Sequence, residues 1–313
     1  MDIGESMGRA GSAVWNEIHR NTVKKKYDSQ KAHHKAYVRR KYAKYQGKKI
    51  VENAGLKKEI DWRLLDGQSP KAIGGWLKRH TKRKYDRASK NAIYRYLASV
   101  YGRRIETQLS LQKKKRKWRR KRGSKKKLSE RTFIDQRPHH INKRMHIGDT
   151  EADFILSGRS GKGILLTMAD RKSRTSFIEQ ILDVTIPNVH RAFVRIKKRF
   201  PELVTITTDN DLLFEWHKEL EKLLGIKIYF CHPYHSWEKG TIENTNGVVR
   251  KSVPKSSDVS QYSKQFIRKL EMKLNRRPME VIGFRTPQEM LDAHRKRVRK
   301  IRRNKKRPKM ASF

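Results

Sequence analysis

Between residues 150 and 250 the apolar positions switch repeatedly between strand-like and helical spacing. Ala152–Leu156, Gly163–Met168 and Thr175–Ile181 read as three strands, Ile186–Arg199 has helical spacing, and Leu203–Thr208 is a β-rich fourth strand. A helix over 214–224, a strand over Ile226–Phe230 and a helix from about Glu238 to Arg250 complete the order βββαβαβα. That order predicts an α/β, RNase H-like domain, although a fold alone assigns no function.

Upstream the pattern is helical. Ala10–Arg20 places Ala13, Val14 and Ile18 with Trp15 on one stripe, which predicts a short helix with a single buried face. A second helix runs through Ile60, Leu64 and Leu65, breaks at Asp66-Gly67-Gln68, and is followed by Ser69-Pro70 as N-cap and first-turn proline before Ile73, Trp76 and Leu77. The Gly74-Gly75 pair weakens that middle helix. Ser89 caps a third helix through Ile93, Tyr94 and Leu97, leaving Lys90, Asn91 and Arg95 on its exposed side. Three short helices with a tight turn fit a helix-turn-helix whose last helix enters the major groove, and equally a small helical bundle.

Charge narrows the partner. Lys and Arg number 78 against 31 Asp and Glu, a net charge of +47, so the chain attracts polyanions over its whole surface. Nucleic acid is the default expectation; a ribosomal-type protein or a membrane-surface binder shares the same charge. Lys24–Lys49 interleaves Tyr27, Tyr37, Tyr42 and Tyr45 with basic residues, as a phosphate-contacting or simply solvated helix would. Lys113–Lys127 is basic except at Trp118, Gly123 and Ser124 and reads as a linker that lies on DNA or as a solubilising hinge. No apolar run approaches the roughly 20 residues of a membrane span. The start has no signal-peptide pattern and Cys231 is the sole cysteine, which together fit a reducing bacterial cytoplasm, with association to the nucleoid.

Three acids fall at informative places in the strand order: Asp153 in the first strand, Asp209 just past the fourth and Glu243 on the helix after the fifth. They are placed to meet at one sheet edge. Carboxylates without a His or Cys set suit Mg²⁺ or Mn²⁺ rather than zinc. Two such ions about 3.5 to 4 Å apart activate an attacking hydroxyl and stabilise the leaving oxygen in phosphodiester transfer. Asp149, Glu151, Asp170 and Asp183 compete for the same roles.

The surrounding residues resemble the IS30 family of insertion-sequence transposases, a branch of the integrase-like DDE enzymes. His146–Asp153 is similar to the family's first-strand motif, commonly IGDWExD, which places the first acid at Asp153 and not Asp149. Ile206–Asn210, followed by Phe214 and His217, resembles the segment bearing the second acid, Asp209. Pro233–Lys255, PYHSWEKGTIENTNGVVRKSVPK, is the most specific block and puts the third acid at Glu243. Leu274–Pro278 and Gly283–Pro287 look like the closing segment. GRAGSAVWNEIHRN, SPKAIGGWLK and SKNAIYRYL resemble parts of two helix-turn-helix modules, the first lacking its leading helices.

The resemblance implies end cleavage and strand transfer, with two Mg²⁺ or Mn²⁺ ions on Asp153, Asp209 and Glu243. Its partners are terminal inverted repeats and target DNA, met by a homo-oligomer with no membrane. The segments expected are a partial helix-turn-helix and basic helix (1–54), a second helix-turn-helix (55–110), a basic linker (111–145), the RNase H-like catalytic domain (146–292) and a basic tail (293–313). Asn246 and Gly247 lie three and four positions past Glu243 and Arg250 seven past it, so this face approaches a phosphate, with local capping or packing as the other role for Asn246. Lys239 and Lys251 join them as expected DNA contacts, and Trp237 is expected in the core. Against the family pattern, Asp211 replaces Gly, Leu213 a frequent Glu and Thr150 a usual Trp; the extra charge of Asp211 predicts reduced activity. A truncated DNA-binding repressor and a metal-dependent nuclease are the competing functions.

Overall fold

The computed structural model describes residues 3–22, 26–43, 48–111, 131–158, 161–214, 216–233 and 235–305. The basic block Lys113–Lys127 and the end of the basic tail lie outside the described residues. The chain forms two compact units, one of Met1–Leu65 with Thr81–Lys113, the other of Asp66–His80 with Lys114–Phe313.

Upstream of the basic block the described residues form helices α1 (Ile3–Ser6), α2 (Gly11–Asn21), α3 (Ser29–Ala43), α4 (Lys48–Glu52), α5 (Ala54–Leu65), α6 (Pro70–His80), α7 (Lys90–Leu97) and α8 (Arg103–Leu111). In the first unit Ile50, Leu56, Ile60, Leu64, Ile93 and Tyr96 are buried, and the Tyr96 hydroxyl donates to Asp61 Oδ1 at 2.7 Å. Ser89 caps α7 as its sequence predicts, its hydroxyl accepting from the Ala92 amide at 3.2 Å. The stripe expected to be buried on α2 is not: Trp15 is 62% exposed and stacks on His19 instead. The neighbouring α3 is rich in Lys, Arg and His and has no continuous apolar face with which to cover it.

Helix α6 belongs to the second unit and stays helical through Gly74-Gly75. The reason for Gly75 is close approach, since a Cβ there would stand 2.2 Å from the Phe284 ring. Lys71 pairs with Glu280 at 2.6 Å and His80 with Glu289 at 3.1 Å beside it.

The rest of the second unit is built on five strands, β1 (Asp149–Leu156), β2 (Ile164–Asp170), β3 (Ser176–Ile181), β4 (Thr205–Thr208) and β5 (Lys227–Phe230), in the order β3-β2-β1-β4-β5. β1, β2 and β3 pair antiparallel, whereas β4 lies parallel to β1 and β5 parallel to β4. This is the RNase H-like arrangement. Its helices are α9 (His139–Asn142), α10 (Ile186–Arg199), α11 (His217–Leu224), α12 (Gly240–Ser252), α13 (Lys264–Asn275) and α14 (Pro287–Lys305).

The two faces of the sheet carry different cores because strand side chains alternate. Ala152 and Phe154 of β1 meet Val189, Ala192, Phe193 and Ile196, the i, i+3, i+4, i+7 stripe of α10. Ile155, on the other face, packs with Val249 and Val253 near the end of α12 and with Leu270 and Leu274 of α13. Edge strand β3 is capped by α13: Asn275 accepts from the Ser176 amide and donates to its carbonyl, while Glu271 accepts from the Ile178 amide at 2.7 Å. Those bonds occupy groups that would otherwise invite edge-to-edge pairing. Among the described residues no helix is long and apolar enough to cross a membrane.

One glycine sets the entry to β1. Gly148 has φ +115°, and a Cβ there would lie 2.1 Å from the Glu202 carbonyl oxygen. Gly148→Ala is therefore expected to destabilise the fold by about 1 to 3 kcal/mol. A thermal melt checks this, and an unchanged midpoint would refute the close-approach argument.

Candidate active site

The strand alternation that buries Ala152 and Phe154 under α10 turns Glu151 and Asp153 toward α12. Asp153 sits opposite Thr167 of β2, and Asp209 follows directly on the last residue of β4, next to β1 in the sheet. The Lys239 ammonium brings the two acids together, lying 3.2 Å from Asp153 Oδ1 and 2.7 Å from Asp209 Oδ2. Lys239 stands immediately before α12, and its side chain is only 7% exposed, against 24% and 43% for Asp153 and Asp209.

Charge explains the arrangement. Burial raises the Asp153 pKa, the neighbouring Asp209 adds to this, and Lys239 opposes both. Burial also works against the Lys239 ammonium, but the two carboxylates outweigh it and hold its pKa above the ordinary lysine value. The pair of aspartates is thus a centre of converging negative charge that needs a cation.

The other oxygen of Asp153 accepts from Asn246 Nδ2 at 2.8 Å, and Asn246 Oδ1 accepts from the Thr167 hydroxyl at 2.8 Å. Asn246 is therefore an organiser of Asp153. Glu243 lies one turn earlier on the same helix, is exposed, and makes no hydrogen bond or ion pair among the described residues.

Glu151 fastens α12 to the sheet. Its Oε2 accepts from the Ile242 amide at 2.9 Å, in the first turn of α12, and its Oε1 lies 3.1 Å from Nε of the buried Arg171. An anion at that helix end satisfies an amide with no partner inside the helix and favours the dipole. Glu151 was legible only as a competitor for metal; its spacing of two from Asp153 on a strand is the signal that the two share a face.

Asn210 holds the neighbouring loop. It accepts from Arg131 Nη1 at 2.7 Å and donates to the Cys231 carbonyl at 2.8 Å, fixing the backbone beside Asp209. Asp211 Oδ1 accepts from the Leu213 amide and caps the short turn Leu212–Phe214. Thr150, in place of the family's usual Trp, donates its hydroxyl to the Thr205 carbonyl between β1 and β4.

The remaining acids are committed elsewhere. Asp170 accepts from Gly148, Lys172 and Ser173 and closes the β2–β3 turn. Asp149 accepts from the Thr205 hydroxyl, and Asp183 from Asn188. Cys231 is buried, with its thiol pKa pushed up to about 12 by burial, which keeps it protonated and unreactive.

The basic residues expected on DNA are placed as follows. Lys90, Asn91 and Arg95 are exposed on α7, and Lys251 is exposed on α12. Arg250 donates to the Leu156 carbonyl at 3.0 Å and so ties α12 to the end of β1. A separate cavity of about 550 Å³ is lined by Arg144, Arg171, Lys172, Arg174 and Arg285.

Trp237 departs from its expected core position. It is 71% exposed and stacks on His235 at 4.4 Å, because the segment entering α12 passes over the surface rather than under a helix. Trp237→Ala is expected to change stability by no more than about 0.5 kcal/mol. A loss near the roughly 3 to 5 kcal/mol of a core tryptophan in a urea titration would place it inside after all.

Asp153 and Asp209 are hard oxygen donors of the kind a divalent cation takes, and the structure brings these two together without drawing Glu243 into a common cluster with them. Beyond the donor types, Asp209 Oδ1 is a buried oxygen without a hydrogen-bond partner among the described residues, while Oδ2 of the same carboxylate pairs with Lys239.

No protein-family model matches the chain. The transposase for insertion sequence element IS4351 of Bacteroides fragilis is 35% identical over 294 residues, spanning 92% of this chain and 88% of that protein. Transposase InsI for insertion sequence element IS30A of Escherichia coli strain K12 is 29% identical, spanning 93% and 78%. The catalytic core domain of BIV integrase aligns at TM-score 0.38 and 18% identity over 48% of this chain and 98% of that one. Identity over nearly the full length of both sequences carries the assignment: the chain belongs to the IS30 family of insertion-sequence transposases.

Proposed function

We propose that this transposase cuts DNA at the ends of its element and joins the freed ends to target DNA, with Asp153, Asp209 and Glu243 as ligands for two divalent ions. The observation that carries this reading is the convergence of Asp153 and Asp209 on one ammonium, with Asp153 also bound by Asn246 of the helix that bears Glu243. Mg²⁺ or Mn²⁺, when bound, supplies activation of the attacking hydroxyl and stabilisation of the leaving oxygen. The three carboxylates hold and do not attack. Asn246 fixes the orientation of Asp153 through its amide, and Thr167 fixes Asn246 in turn.

Lys239 neutralises the aspartates in the protein alone, which keeps two like charges together before catalysis. With divalent ions bound, its ammonium is free to turn to a phosphate oxygen, so the same residue serves the apo site and the DNA complex. Glu243, exposed and unpaired among the described residues, completes the set from the helix side. Positioning and charge neutralisation then account for most of the rate, as in other phosphoryl transfers. Lys90, Asn91 and Arg95 on α7 meet DNA within a helix-turn-helix region, and Lys251 and the basic tail add phosphate contacts. Joining two ends at once calls for a homo-oligomer.

A labelled element end incubated with supercoiled target DNA tests the proposal. Joined products that need Mg²⁺ or Mn²⁺ and vanish with chelator are expected. Nicks without joining would make the protein a nuclease, and retarded DNA with neither product would make it a binder.

A further inference from the structure

We propose that the segment between β5 and α12 holds a second metal site, separate from the carboxylates, in which His232, His235 and Glu238 bind one divalent transition ion such as Zn²⁺. The three residues offer ligand atoms that all lie within 4.8 Å of one another. His232 Nδ1 is 2.9 Å and His235 Nδ1 3.3 Å from the same carboxylate oxygen, Glu238 Oε1. Ligands about 2.0 to 2.1 Å from a tetrahedral ion stand roughly 3.3 Å apart, so the spacing matches with little movement.

The surroundings are those of a ligand set. His232 Nε2 lies 2.7 Å from Asp135 Oδ2 and donates to that carboxylate, so a metal ion that takes the place of the proton between Nδ1 and Glu238 leaves the bond to Asp135 intact. A carboxylate behind a histidine is the usual outer partner of a metal-bound imidazole. The second oxygen of Glu238 accepts from the His232 amide at 2.8 Å, which aims Oε1 at the two rings. Phe133 and Trp237 stack on His232 and His235 and hold the ring planes. Among the described residues no Lys or Arg pairs with Glu238, so the charge that faces the two rings has no side-chain cation of its own. A proton can join one ring to the carboxylate, whereas a metal ion satisfies all three atoms.

Two imidazoles and one carboxylate select zinc-like ions over Mg²⁺, which prefers oxygen ligands. The consequence is mechanical. The segment runs from Cys231 to Lys239, and a pin across its middle would fix the residue that enters the catalytic pair.

The test uses chelator-treated full-length protein carrying Asp153→Asn and Asp209→Asn, which disables the catalytic carboxylates, titrated calorimetrically with ZnCl₂. Saturation at one equivalent is expected, undiminished by millimolar Mg²⁺. His235→Ala and Glu238→Gln are each expected to weaken binding at least tenfold, and the exposed Asp135→Asn by about tenfold. Co²⁺ should give the visible bands of a four-coordinate site, and Zn²⁺ should raise the melting temperature only where His232 and His235 are both present. Zinc uptake equal in the parent and in a His232→Ala/His235→Ala variant of unchanged circular dichroism would overturn the site, as would full displacement by Mg²⁺. Saturable binding that tracks neither histidine would leave only a protonated hydrogen-bond network there, and the proposal would fall.

Discussion

Asp209→Asn, and separately Asp153→Asn, should lower strand transfer on the order of a thousandfold or more while leaving the protein folded. The amide is nearly isosteric but lacks the charge that holds a divalent ion, and losing several kcal/mol of transition-state charge stabilisation corresponds to that factor. Stability should scarcely change, and the reason is electrostatic. Each substitution removes a carboxylate from a pair of like charges, and Lys239 keeps the other as its partner. A single-turnover assay on labelled ends, run beside a thermal melt, separates the two effects. An Asp209→Asn protein with joining activity within about tenfold of the parent would remove this residue from the proposed ligand set.

The second large effect is expected at Glu151, which never needs to touch DNA or metal. Glu151→Ala leaves the guanidinium of Arg171, itself only 5% exposed, without its counter-charge and strips the Ile242 amide of its acceptor. Breaking a buried pair in this way typically costs about 3 to 5 kcal/mol. Urea denaturation should show a loss of that size, and joining should fall with it because α12 carries Glu243 and Asn246. Glu151→Gln restores an acceptor for Ile242 but not the charge, so it should lie between the parent and the alanine variant. If Glu151→Ala is as stable as the parent to within about 0.5 kcal/mol, the anchoring of α12 through this carboxylate is wrong.

The sheet and its helices were legible because they rest on local periodicity. Ile186–Arg199 coincides with α10, and the strands differ from expectation only at their ends, as at β1, which starts at Asp149 rather than Ala152. Boundaries shift because the extra residues of β1 are polar and are paired by β4, a partner invisible to local pattern. The family resemblance, more than the pattern, singled out Asp153, Asp209 and Glu243 among seven candidate acids.

Roles that depend on distant partners were not legible. Lys239 looks like a solvated DNA contact, and its burial follows from two acids 86 and 30 positions upstream that only the folded sheet brings together. Asn246 had two local readings, and its bond to Asp153 crosses from helix to strand. Trp237 and Trp15 carry the same lesson in reverse. A large aromatic predicts burial only where some element is present to cover it, and among the described residues none covers either ring.

Diffraction from crystals of the full chain soaked in Mn²⁺, with data collected at the manganese edge, decides whether the three carboxylates share a pair of metal ions. Two anomalous peaks about 3.5 to 4 Å apart are expected, held by Asp153, Asp209 and Glu243, with the Lys239 ammonium moved out from between the aspartates. Manganese absent from the Asp153–Asp209 pair, or bound there with Glu243 still turned to solvent, would contradict that expectation.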